Sequence, residues 1–349
     1  MYRFLSSDSN GRLGNDGRFA LCILLGFPIS FAYRWIPNQF RHFYSIVTSC
    51  TILYTLFSPR ACFEIVGLCL SVYAIGKIGL GKASTPYLIF GVSLSWMAYV
   101  HLESQFLRVD DPDFVDYSTA MMILLIKLSS FGWSAFDAGR VSNGQLDEYQ
   151  KNHAIKEYPS LIEFFGYCLF FNGFFVGPAI EYNHYHQFTR ADREPYKSKQ
   201  PTFLPMMKCL VFGLFMFAVD IYLSPTFHFL HLVKPWFLDL GFVQKVGYLL
   251  IAGVVSRAKF YAVWNLSESA ALMSGVGVGL DEKGKVVFNA FENLNFLELE
   301  FAENPKAMLD AWNKFTARWL RRYVYVRTDK LKLLSTFLIS AVWHGFYPG

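Results

Sequence analysis

The chain has 349 residues, 53% of them hydrophobic and 17% charged, with a net charge of +5 and a mean hydropathy of +0.27. Aromatic side chains reach 18%, with 36 Phe and 20 Tyr. No soluble core has room for so many rings, so the composition excludes an ordinary soluble domain and points to a lipid-facing surface; the modest charge gives no ground for a nucleic-acid partner.

In chain order, the first twenty residues carry Arg3, Asp8, Arg12, Asp16 and Arg18 and show no cleavable signal peptide. The first apolar run should therefore act as an uncleaved anchor. Apolar runs lie near Phe19–Tyr33, Phe43–Phe57, Ala61–Ile75, Pro86–Val100, Tyr117–Phe136, Leu161–Ile180, Phe203–Leu223, Val243–Val263 and Leu331–Trp343. Each is roughly 13–21 residues long, and several fall short of the ~20 that an upright spanning helix needs. Short or Gly-cut runs read as tilted, broken or re-entrant helices buried among neighbours. The reading is all-α and polytopic: roughly eight to ten membrane segments in one integral domain over residues 1–349, without an internal repeat.

The stretches between the runs yield little chemistry. Asp137 and Arg140 stand three apart and suit a pair on one helix face. Cys22, Cys50, Cys62, Cys69, Cys168 and Cys209 lie inside apolar runs with no CxxC spacing, and read as buried thiols rather than zinc ligands or disulfides. "GKIGLGKAS" sets Gly76, Gly81 and Lys82 in phosphate-loop register, but Ala83 stands where magnesium needs a hydroxyl, so it reads as a membrane turn. "GVGVG" at Gly275–Gly279 reads as a flexible loop. His184 and His186 have no obvious partner ligands and read as ordinary loop histidines.

Two stretches carry more. "NPKAMLDAWNKFTARWLRRYVYVR" predicts one helix, with Asn304 as cap and Pro305 in its first turn. Met308, Trp312, Phe315, Trp319 and Tyr323 recur at three- and four-residue steps and form an apolar face. Asn313 and Thr316 share a second face, and Lys314, Arg318, Arg321 and Arg322 crowd the others. From Lys306 to Lys332 there are eight Lys or Arg against Asp310 and Asp329. Basic and aromatic together describe a helix at the lipid–water boundary. The second stretch is "FLISAVWHG". About eleven residues at ~1.5 Å rise put His344 about 16 Å into its apolar run, near the middle of a ~30 Å hydrocarbon core. Gly345 and Pro348 then disturb the helix. On position alone two readings stay open: a neutral histidine bonded between helices, or a base held in a cavity walled from water.

"RAKFYAVW" (257–264), "WNKFTARWLRRYVYVR" (312–327) and "WHGFYPG" (343–349) occur on this many-span chain. Together they resemble the membrane-bound O-acyltransferase family, and more narrowly its lysophospholipid acyltransferase branch of the fungal broad-specificity type. That branch carries RxKYYxxW, WNxxTxxWL and WHGxxPGY; here Phe260 replaces the first Tyr. The resemblance runs from about residue 20 to the end.

The resemblance implies a helical bundle with an internal reaction chamber. His344 matches the catalytic histidine and Asn313 the second polar residue of the site. Acyl-CoA would enter from the cytosol, and the lysophospholipid laterally from the bilayer. Substrate contacts are expected at Trp312, Thr316, Arg318, Trp319, Trp343 and Gly345. Arg257, Lys259, Tyr261 and Trp264 are expected to bind substrate or to pack around the chamber. The basic helix would hold the CoA phosphates or anchor on the membrane surface. No bound cofactor or metal is implied, the compartment would be the endoplasmic reticulum, and a homo-oligomer stays open. The family pattern continues past PGY, whereas this sequence stops at Gly349, so a fragment with an opened, inactive chamber is expected. The rival readings are a sterol, diacylglycerol or protein acceptor within the same family, or a transporter with His344 as proton relay.

Overall fold

The computed structural model describes residues 14–108, 111, 114–141, 146–190, 195–196, 200–281 and 283–346. Arg3, Asp8, Arg12, Pro348 and the end at Gly349 lie outside the described residues, as does the side chain of Asp16.

Apolar runs and capping residues set the order of elements. The first half holds α1 (Asn15–Tyr33), α2 (Arg41–Ile52), α3 (Pro59–Ile78), α4 (Thr85–Leu102), α5 (Ser118–Ala138), α6 (Glu148–His153), α7 (Leu161–Cys168) and α8 (Phe171–Phe174). The second half holds α9 (Tyr182–Arg190), α10 (Phe203–Leu223), α11 (Pro235–Leu238), α12 (Phe242–Ser274), α13 (Phe296–Glu300), α14 (Pro305–Ala311), α15 (Lys314–Trp319) and α16 (Lys332–His344). Two short strands, β1 (Gly279–Leu280) and β2 (Val286–Val287), pair antiparallel across a turn. Helices α3, α5, α10 and α12 are long and apolar enough to cross a membrane, and α1 contributes a shorter apolar stretch.

The nine apolar runs fall on helices with one exception. Leu161–Ile180 stops being a span-length helix at Cys168, because Asn172 takes an extended ψ of 110° and Gly173 a left-handed φ of 88°. A Cβ at Gly173 would run into the carbonyl of Pro178, so only glycine permits this fold-back. The freed carbonyls at the end of α7 are met by Lys127 of α5, whose Nζ donates to Tyr167 and, at 3.2 Å, to Cys168.

Helix α5 is buried along most of its length and forms the hub. Helix α4 packs on one side of it, and α15 with the π-helical segment Leu320–Tyr325 that continues it on another. Helices α10 and α12 pair closely where Gly213 lies opposite Leu266; a Cβ there would stand 2.9 Å from Leu266 Cγ. Outward faces stay apolar, with Phe63, Leu70, Val211, Phe215 and Leu250 exposed, as a lipid-facing surface requires.

Several expectations change. The predicted helix over 305–327 is interrupted at Trp312 (ψ 132°) and Asn313 (φ 45°, ψ 53°), giving α14 and α15. Phe315, Trp319 and Tyr323 are buried against the hub rather than set at a lipid–water boundary. Asp137 is bound by Arg327, with 2.8 Å from Nη1 to Oδ1, a partner far along the chain that no local spacing announces. His184 and His186 sit on α9, not in a loop. Cys50 and Cys209 are half-buried, and the other four cysteines are buried.

Candidate active site

A cavity of about 500 Å³ opens between α1, α5, α10, α12 and the 312–316 segment, with the end of α16 at its rim. Its wall is mostly apolar. Trp264 and Trp312 meet edge to face with centroids 4.9 Å apart, and Phe260 lies 5.5 Å from Trp312. Asp220 of α10 and Lys259 of α12 are charged groups on this wall, and the Lys259 ammonium stands 5.0 Å from the Phe260 ring.

Asn313 reaches the cavity because the chain is kinked there. A continuous helix would bond Lys314 N–H to Asp310 and Phe315 N–H to Ala311. Instead Lys314 N–H donates to the carbonyl of Asn293 at 2.9 Å, and Phe315 N–H to its Oδ1 at 3.2 Å. The Ala311 carbonyl is taken by Asn295 N–H at 3.1 Å. Residues 293–295 thus insert into the helical ladder and split it. Asn is one of the few non-glycine residues that tolerates the left-handed conformation this leaves at 313.

His344 is placed by its neighbour. Trp343 is buried at 4% exposure, and its indole N–H donates to the carbonyl of Met122 on α5 at 3.0 Å. His101 holds the Trp343 carbonyl at 3.1 Å. One residue on, about 100° round the helix, His344 stands edge-on to Trp343 with centroids 4.7 Å apart. Its Nδ1 lies 2.7 Å from the Ser340 carbonyl. A carbonyl only accepts, so Nδ1 carries the proton and Nε2 keeps a free lone pair. The ring is exposed, which corrects the expectation of a buried imidazole: Trp343 takes the inward position, and no described element covers the next face.

Of the residues singled out in the sequence, His344, Asn313, Trp312, Thr316, Lys259, Trp264 and Trp343 line this one cavity. Arg257, Tyr261, Arg318, Trp319 and Gly345 do not. Arg257 binds Glu300 of α13 at 2.6 Å and Tyr261 Oη at 2.9 Å, so these two residues tie α12 to α13. Trp319 donates to Ser129 Oγ of α5 at 2.9 Å, deep in the core. Arg318 lies over the Phe315 ring. Gly345, at φ 102°, turns the chain beside His101 and Gln105, where a side chain would collide.

Four members of the basic cluster pair with carboxylates of the protein itself. Lys306 pairs with Asp310 at 2.7 Å, Lys314 with Glu292, Arg322 with Asp147 at 3.5 Å and Arg327 with Asp137. Arg327, buried with Asp137, therefore stands outside any phosphate-binding or membrane-anchoring face, whereas the Lys306–Asp310 pair is exposed. Sequence reasoning also missed Asn293, which is 3% exposed, lines the cavity and bonds Asn313. Its only signal was the pair of asparagines in "ENLN", inside a stretch of low hydropathy before α14.

Lipid-grade helices around a mostly apolar cavity, with an imidazole and an amide on its wall, define a polytopic membrane protein with an internal site. The sequence pattern of the membrane-bound O-acyltransferase family matches residues 42–349, and the chain belongs to that family. It is 34% identical over 279 residues to a protein of Schizosaccharomyces pombe named lysophospholipid acyltransferase, covering 76% of this chain and 54% of that one. To lysophospholipid acyltransferase 2 of Arabidopsis thaliana it is 29% identical, covering 95% of this chain and 74% of the relative. To the lysophospholipid acyltransferase of Saccharomyces cerevisiae it is 28% identical, covering 95% and 59%. The chain thus spans between about half and three quarters of the length of these relatives.

Proposed function

We propose that the chain transfers an acyl group from acyl-CoA to the free hydroxyl of a lysophospholipid, in the endoplasmic reticulum membrane. The observation that carries the reading is the presence of His344 and Asn313 on the wall of one apolar cavity. The names of the fungal and plant relatives support the choice of acceptor.

His344 Nε2 has the free lone pair needed to take the hydroxyl proton as the oxygen attacks the thioester carbon. The new C–O bond gives a tetrahedral oxyanion. Its collapse breaks the C–S bond, and the CoA thiolate leaves and takes the proton back from the imidazolium. In this reading the Asn313 amide, on the same cavity wall, serves the developing negative charge. Trp264, Trp312 and Phe260 give the acyl chain an apolar wall, and the exposed Lys259 offers a cation for a phosphate at the rim. No covalent enzyme intermediate is needed.

The test is transfer of labelled acyl from acyl-CoA by membranes holding the full-length natural chain, with lysophospholipid, diacylglycerol and sterol acceptors side by side. Lysophospholipid should be preferred, and His344→Ala should lose at least ~10²-fold in rate. Full transfer by His344→Ala, or a preference for sterol, refutes the reading.

A further inference from the structure

The hydrogen bonds where residues 293–295 cross the 311–315 segment have directions, and those directions fix the amide of Asn313. Phe315 N–H can only donate, and it meets Asn293 Oδ1 at 3.2 Å. Asn293 is 3% exposed, so turning its amide over would bury an N–H against an N–H with no water to relieve it. Its oxygen must face Phe315, and its nitrogen the other side. There Asn293 Nδ2 donates to Asn313 Oδ1 at 3.3 Å. Asn313 is half-buried, and turning its NH₂ to that donor would set N–H against N–H and lose the bond, so its oxygen faces Asn293. Its NH₂ group is what remains, and among the described residues nothing accepts from it. The crossing is held from both ends by Lys314 N–H on the Asn293 carbonyl and Asn295 N–H on the Ala311 carbonyl.

We propose that Asn293 is a positioning residue that holds Asn313 with its NH₂ turned to the cavity, so that Asn313 acts as a donor to the thioester carbonyl oxygen and not as an acceptor for the attacking hydroxyl. This deepens the acyl-transfer reading and rests on it. As the hydroxyl oxygen bonds to the thioester carbon, the carbonyl pair moves onto oxygen and the hydroxyl proton moves to His344 Nε2. An N–H aimed at that oxygen gains strength in the transition state, whereas an amide oxygen in the same place would repel it.

Two near-isosteric variants in the full-length natural chain separate the possibilities, with a long-chain acyl-CoA and lysophosphatidylcholine as substrates and rates normalised to folded protein from detergent size exclusion. Asn293→Asp keeps an acceptor for Phe315 N–H but removes the donor to Asn313. It should lower kcat ~10- to 100-fold with both KM values within about twofold. Asn304→Ala, which removes only the cap bond to Ala307 N–H on the neighbouring helix, should lower the melting temperature and leave kcat alone. Asn313→Asp still accepts from Asn293 but turns an oxygen to the cavity, so its kcat should fall at or below that of Asn313→Gly. Asn293→Asp within threefold of wild type per folded molecule overturns the positioning role. Asn313→Asp that outperforms Asn313→Gly overturns the donor assignment even where Asn293→Asp fails to fold. Absence of transfer by the wild-type chain strikes instead at the acyl-transfer reading, and this proposal falls with it.

Discussion

Asp137→Ala is the substitution for which the structure gives the clearest cost. The Asp137 carboxylate sits at the end of α5 with its side chain 2% exposed, and the Arg327 guanidinium that grips it is 9% exposed and lies over the Trp133 ring at 4.5 Å. Among the described residues Arg327 Nε has no hydrogen-bond partner, so the carboxylate is the main group that compensates this buried cation. Removing it strands a charge, which costs ~3–5 kcal/mol, whereas replacing both partners by apolar groups of similar volume is often neutral. At ~1.5 °C per kcal/mol for a chain of this size, Asp137→Ala should melt roughly 4–8 °C lower. Asp137→Leu combined with Arg327→Met should return to within ~2 kcal/mol of wild type. Fluorescence-detected size exclusion after a heating series in detergent reads both. A melt for Asp137→Ala within ~2 °C of wild type, or a double variant less stable than Asp137→Ala, would refute the reasoning from a stranded charge.

Two further outcomes follow from backbone and burial. Asn313→Gly keeps the left-handed backbone at φ 45° and deletes the amide, so it should fold within ~1 kcal/mol of wild type yet lose ~10²-fold or more in kcat; Asn313→Ala should lose as much rate and melt lower still, and a Gly variant that keeps half of its rate removes the amide from the chemistry. His184 on α9, outside the spanning helices, donates to the Val276 carbonyl at 3.0 Å, and burial pushes its imidazole down to about 4. Its unfolded value is ~6.5, so between these values the unfolded chain binds the extra proton. Stability from this site is whole above pH ~6.5 and is lost as pH falls toward ~4, by up to ~3 kcal/mol. His184→Gln should therefore flatten the melting-versus-pH curve across that window, and an unchanged slope would show that His184 is not its source.

What was legible in the sequence was whatever depends on local pattern. Apolar runs, several of them shorter than a bilayer span, fell on helices in all but one case, and Asn304 followed by Pro305 marked the start of α14, where its Oδ1 accepts from Ala307 N–H at 2.9 Å. What was illegible came from partners far along the chain. The periodicity of Met308, Trp312, Phe315, Trp319 and Tyr323 fits an unbroken helix, and nothing between 305 and 327 contradicts it. The break at Asn313 is supplied by Asn293, twenty residues earlier, whose carbonyl and amide take two N–H groups out of the ladder. The same holds for Asp137, whose buried two-pronged partner, Arg327, lies 190 residues away, where no local rule reaches. His344 shows the limit from the other side. Its depth in an apolar run says how much hydrocarbon flanks it, but exposure depends on which element packs on each face, and Trp343 takes the packed one. A periodic pattern fixes which residues share a face; only the partner that reaches that face decides whether the helix continues, what it binds and which nitrogen it leaves free.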